Sequence, residues 1–140
     1  MFKADARFLV VDDAANARDQ ARIALNRIGF MIVDEAANGA SAVDKVKRAI
    51  VEKKPYALVF LDINMPEMDG LQCLEQMRSV PQANNLPVVV ITTESAKPTV
   101  VRAVMQGVSG YIVKPFTVDD IKKKVAEIFE RAQTIASHSE

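Results

Sequence analysis

Five polar residues each follow a short apolar run. Asp12 and Asp13 follow Phe8-Leu9-Val10-Val11, and Asp62 follows Tyr56-Ala57-Leu58-Val59-Phe60-Leu61. Thr92 follows Leu86-Pro87-Val88-Val89-Val90-Ile91, and Lys114 follows Gly110-Tyr111-Ile112-Val113. Carboxylates brought together repel one another and raise each other's pKa unless a cation intervenes. An oxygen-only donor set, with no clustered His or Cys, favours Mg²⁺ or Mn²⁺ over zinc. Mg²⁺ takes one or two carboxylates and keeps room for water or phosphate oxygens, so such a set suits a phosphoryl group. Asp62 could then act as a nucleophile toward phosphorus, with Lys114 as a point charge on a phosphoryl oxygen and the Thr92 hydroxyl as a donor to another. Taken singly, each residue has a structural explanation. An Asp after a strand caps a helix or makes a turn, a strand-end Thr bonds locally, and a Lys is a solvated charge. Convergence on one crevice carries the chemical reading.

That convergence depends on the elements between the five residues. The apolar runs have strand length and read as strands buried on both faces. Met31 to Ala36 is a further strand, placed at the sheet edge by Asp34 and Glu35. Between the strands lie helical patterns. One runs from Ala14 to Ile28, closed by Gly29, and one from about Ala40 to Lys53, stopped by Pro55. A third runs from Asp69 to about Val80, and a fourth covers 98–106 with Pro98 in its first turn. The last has Thr117 as its N-cap, with Asp119 and Asp120 at its positive end. Residues 6–134 form the expected core and 135–140 a flexible tail. Strand and helix alternating on short connections imply parallel strands, right-handed crossovers and helices on both faces, hence an open doubly wound α/β sheet with five strands and five helices. In such sheets ligands bind outside the carboxyl ends of the strands, where all five residues fall.

The 140 residues suffice for one domain, and no linker, repeat or low-complexity segment divides them. A formal net charge of +0 gives no basic footprint for nucleic acid. The single cysteine, Cys73, cannot form an internal disulfide and reads as a small buried hydrophobe. No signal-peptide core or apolar run of membrane-spanning length is present, so no membrane insertion is expected and the reading is cytoplasmic.

Phe8 to Asp13, Leu61 to Gly70 with its Asp62-Ile63-Asn64-Met65-Pro66 core, Thr92, and Gly110 to Thr117 together resemble the receiver domain of two-component response regulators, most nearly the single-domain chemotaxis regulators. The resemblance covers nearly the whole chain. It implies a flavodoxin-like sheet of order 2-1-3-4-5. It also implies Asp62 as phosphoacceptor from a histidine kinase, Mg²⁺ held by Asp12, Asp13, Asp62 and the backbone carbonyl of Asn64, Thr92 as switch hydroxyl, Tyr111 as the aromatic that moves with it, and Lys114 as the phosphate lysine. Asn64 and Glu94 occupy the positions that tune self-hydrolysis. The output face would comprise 98–106, 110–113 and 118–132, with Lys97 and Lys124 at the rim of a groove opened when Tyr111 turns inward. A phosphatase is a further implied partner.

Departures from the chemotaxis regulators are local: Ala14-Ala15-Asn16-Ala17 after the acidic pair, Ile63 after the phosphoacceptor, Thr93 beside the switch threonine, and a second helix lengthened toward Lys53-Lys54. They leave the phosphoryl chemistry in place and loosen the link to a flagellar motor. The chain reads as a phosphoacceptor with self-phosphorylation and self-dephosphorylation chemistry, not as a conventional enzyme. Three alternatives are a phosphorelay shuttle passing phosphate to a histidine phosphotransfer protein, an aspartate-nucleophile phosphohydrolase, and a stand-alone interaction module without phosphorylation. Against the hydrolase, the position two after Asp62 is Asn64 rather than a second acid.

Overall fold

A computed structural model describes residues 2–63, 70–83, 85–92 and 107–138, with 132–138 described by their backbone. Five strands form one sheet: β1 (Arg7–Val11), β2 (Ile32–Ala36), β3 (Leu58–Asp62), β4 (Val88–Thr92) and β5 (Gly110–Val113). Every pairing is parallel and the spatial order is β2-β1-β3-β4-β5, as the resemblance implied. Four helices lie among the described residues: α1 (Ala15–Arg27), α2 (Gly39–Val51), α3 (Gly70–Arg78) and α4 (Val118–His138). The helix expected over 98–106 falls outside the described residues.

Alternation along the buried strands splits the core in two, because successive side chains point to opposite faces. Leu9, Val11, Val59, Leu61 and Val88 pack with α2 and α3. Phe8, Val10, Leu58, Phe60, Val89 and Ile91 pack with α1 and α4. β2 is an edge strand, and its Asp34 and Glu35 stay partly exposed where a central strand would bury them.

Local chemistry fixes the helix ends. Asn38 Oδ1 accepts from the Ser41 amide at 2.8 Å to open α2. Thr117 and Asp120 exchange reciprocal bonds, the Asp120 amide donating to Thr117 Oγ1 at 3.1 Å and the Thr117 amide to Asp120 Oδ2 at 2.9 Å, so Thr117 caps α4 as expected. Gly29, with φ 106, closes α1. Two boundaries differ from the sequence reading. α2 ends at Val51, and Lys53 takes φ 60, so the lysines beyond it belong to a turn and not to a longer helix. α4 runs on through His138, past the tail boundary expected at Ile135. Its pattern of helix-compatible residues has no Gly or Pro to stop it. No described helix is long and apolar enough to cross a membrane.

Candidate phosphoryl and metal site

The parallel sheet brings the expected acids to one rim. One carboxylate oxygen from each of Asp12, Asp13 and Asp62 lies within 4.8 Å of the others. Asp12 and Asp62 are buried, and Asp13 is exposed at the mouth. Thr92 ends β4 at 1% exposure, in line with the end of β3, since Asp62 pairs with Ile91 in the ladder. The Lys114 amide donates to the Thr92 carbonyl at 2.7 Å and thereby ties the end of β5 to the end of β4. The Lys114–Pro115 peptide bond is cis, the isomer that the sequence allowed at that position.

Lys114 crosses the crevice. Its Nζ lies 3.0 Å from Asp12 Oδ2 and 3.5 Å from Asp62 Oδ2. Burial alone would lower the Lys114 pKa. The hydrogen bond to Asp12 and the charges of Asp62 and Asp12 outweigh burial and raise it, so the ammonium stays charged. Among the described residues, Lys114 meets two of the three clustered carboxylates, Asp12 and Asp62. The donors are all oxygen, and one of them, Asp13, is exposed. Such a set fits a hard divalent cation that keeps some ligand positions for other oxygens.

Asp12 is held at every polar group. Its amide donates to the Ala36 carbonyl at 3.1 Å, and the Ala14 amide donates to its Oδ1 at 3.0 Å. Arg18 Nη1 donates to its backbone carbonyl at 2.8 Å. Arg18 Nε in turn meets Glu35 Oε1 at 3.2 Å. Neither Arg18 nor Glu35 is evident as a site residue from the sequence. Arg18 reads as an ordinary charge on a helix and Glu35 as the mark of an edge strand. The available signal was a charge in the first helical turn after the acidic pair, facing an acid on the neighbouring strand.

Gly70 shows how closely the backbone passes the acceptor. A Cβ there would stand 2.4 Å from Ile63 Cα and 2.6 Å from the Asp62 carbonyl oxygen, and the Gly70 amide donates to the Ile63 carbonyl at 3.1 Å. Only glycine permits this approach of α3 to the end of β3. Asn64 and Glu94 lie outside the described residues, as do Thr93 and Lys97.

On the neighbouring face, Tyr111 is 49% exposed. It lines a groove of about 460 Å³ with Ile112, Val113, Asp120, Lys123, Lys124 and Glu127. Lys124 pairs with Glu127 at 3.1 Å. The Tyr111 ring therefore stands outward here, at the face where the sequence placed the output surface. Cys73 is buried, and burial pushes its thiol up to about 12, consistent with a packing role.

A family model for the response regulator receiver domain matches residues 8–126. The chain is 37% identical over 125 residues to chemotaxis protein CheY-3 of Vibrio cholerae, covering 89% of this chain and 92% of that protein. It is 34% identical over 122 residues to the chemotaxis protein CheY homolog of Campylobacter jejuni, covering 87% and 91%. Among solved structures, Vibrio cholerae CheY4 superposes with a TM-score of 0.78 at 27% identity, over 89% of this chain and 98% of that one. The CheX-CheY-BeF3-Mg complex of Borrelia burgdorferi gives 0.80 at 31% identity, over 89% of each chain.

Proposed function

This chain belongs to the response regulator receiver domain family and is thus a signalling component of a two-component system, and from that premise we propose that Asp62 is its phosphoacceptor. The observation that carries the reading is the trio of carboxylates at the end of the sheet with Lys114 bridging two of them. In the proposed reaction an Asp62 carboxylate oxygen bonds to the phosphorus of a histidine kinase's phosphohistidine. The P–N bond breaks, and the imidazole leaves with its electron pair. Lys114 moves from its carboxylate partners onto a phosphoryl oxygen, keeping its charge throughout. Mg²⁺, held by Asp12, Asp13 and Asp62 with Asn64 as the family's further ligand, would supply charge neutralisation at the phosphoryl oxygens. Mn²⁺ satisfies the same donor chemistry.

The readout proposed is the Thr92 hydroxyl donating to the new phosphoryl group. One hydrogen bond to a charged group gives about 1.5 to 3 kcal/mol. Moving an equilibrium from mostly off to mostly on takes roughly 5.5 kcal/mol. Thr92 therefore shares the switch with Lys114 and with repacking of Tyr111, which is 49% exposed in this state. The output protein then docks on the face of 110–113 and 118–132, completed by 98–106, with Lys124 at the groove rim. Likeness to chemotaxis proteins along nearly the full chain supports a chemotaxis or related pathway. The Borrelia relative's complex with CheX, BeF3 and Mg supports a further binding partner and a metal-bound, phosphoryl-like state. The test is intact-mass measurement after incubation with acetyl phosphate and Mg²⁺. Wild type should gain the mass of one phosphoryl group, while Asp62→Asn and EDTA-treated wild type should gain none. Equal labelling of Asp62→Asn would refute the assignment.

A further inference from the structure

We infer that Arg18 and Glu35 are positioning residues that aim Asp13 at the cation, an inference that rests on the proposed metal-dependent site. Asp13 is the exposed acid of the trio, so packing does little to fix it. Its backbone is fixed instead through the peptide it shares with Asp12. That peptide plane carries the Asp12 carbonyl, which accepts from Arg18 Nη1 at 2.8 Å. A planar peptide pinned at its oxygen has a pinned amide, and hence a pinned Asp13 Cα.

The Arg18 guanidinium is itself clamped. Nε meets Glu35 Oε1 at 3.2 Å, and Glu35 Oε2 also lies 3.6 Å from Arg22 Nε. Arg22 reaches Asp19 at 3.1 Å. The Arg18 side chain is only 20% exposed, so the fork is held in a part-buried seat between α1 and β2. An ammonium could not span both partners with this planar geometry. Partners behind metal ligands act in this way, and their removal typically costs about 10- to 100-fold in metal affinity.

Charge and position predict opposite signs, which makes the test decisive. Arg18 is a cation beside a cation site, so on electrostatics alone its removal would tighten Mg²⁺ binding. Positioning predicts that Arg18→Ala weakens it roughly tenfold. Arg18→Lys keeps the charge and should also weaken binding, and it guards against a fold defect in the alanine variant. Mg²⁺ affinity is measured by calorimetry, with circular dichroism melts in EDTA to confirm folding. The metal-free ¹⁵N spectrum supplies a second readout: the Asp13 amide should shift in both variants and in Glu35→Ala. Unchanged or tighter Mg²⁺ binding in folded Arg18 variants, or an unmoved Asp13 amide, overturns the inference alone. A wild type with no saturable Mg²⁺ binding overturns the phosphoacceptor reading and this inference with it.

Discussion

The two ends of the sheet treat charge in opposite ways. Toward the amino end, Asp34, midway along β2, accepts from Arg7 at 2.9 Å and from the Tyr56 hydroxyl at 2.7 Å. Arg7 also donates to the Lys54 carbonyl at 2.7 Å and lies 4.9 Å from the centre of the Tyr56 ring. One carboxylate there meets one guanidinium and one hydroxyl. At the carboxyl end, among the described residues, the Lys114 ammonium meets two of three clustered carboxylates. Among the described residues, the same α/β frame thus carries a balanced network at one rim and more carboxylates than cations at the other. Balanced charge needs nothing more and ties β1, β2 and the turn before β3 together. Clustered carboxylates suit a cation, and this cluster lies at the rim where this sheet topology opens its crevice.

The largest effect is expected from the crowded backbone beneath the carboxyl rim. Gly70→Ala forces a Cβ against Ile63 Cα and the Asp62 carbonyl, and backbone atoms have little room to yield. Urea denaturation should show a loss of about 3 kcal/mol. Supplying the missing charge should do the reverse. At a Mg²⁺ concentration 100 times its Kd, wild type should gain about 2.7 kcal/mol in the same assay. Asp13→Asn should lose most of that gain, whereas amino-end variants should keep it.

Tyr56→Phe tests the balanced rim. Burial would raise the Asp34 pKa, but the Tyr56 hydroxyl and Arg7 outweigh it and hold the carboxyl below its usual value. A depressed carboxylate contributes stability that is present above its unfolded pKa near 3.8 and is lost as pH falls through the folded value. Asp34 is 36% exposed, so removing the hydroxyl should cost only about 1 kcal/mol near neutral pH. The difference from wild type should shrink in acid, with Mg²⁺ affinity unchanged.

The smallest effect belongs to Lys114 under alkali. Its pKa is raised in the folded protein, so its contribution is full below the unfolded value of 10.5 and fades as pH climbs through the folded one. Melting temperature in EDTA should therefore fall more steeply above that pH in wild type than in Lys114→Met.

Much of the site was legible because strand-ending residues announce themselves. Asp12, Asp62, Thr92 and Lys114 each follow an apolar run, and parallel connectivity brings such positions together whatever their separation in sequence. The edge placement of β2 followed from the same patterning, whereas the sheet order came from the resemblance to receiver domains. Less legible were contacts that depend on where long side chains reach. Arg7, Asp34 and Tyr56 come from three separate segments, and nothing in their local patterns pairs them. Tyr56 reads as the start of a strand but stands before β3, where its hydroxyl can turn to Asp34. Arg18 carries its meaning through a backbone carbonyl, an acceptor that every residue possesses and no side-chain pattern marks. The end of α2 was misjudged because Lys53 suits a helix by propensity, while its φ of 60 commits it to a turn.

Among the three neighbouring carboxylates, Asp62 is the one proposed to bond to phosphorus. Borohydride reduction converts an aspartyl phosphate to homoserine, and peptide mass mapping then reports its position. After treatment with acetyl phosphate and Mg²⁺, the conversion should appear at Asp62 and at neither Asp12 nor Asp13. Conversion at Asp12 or Asp13, or at no aspartate while the protein gains the phosphoryl mass, would contradict the account.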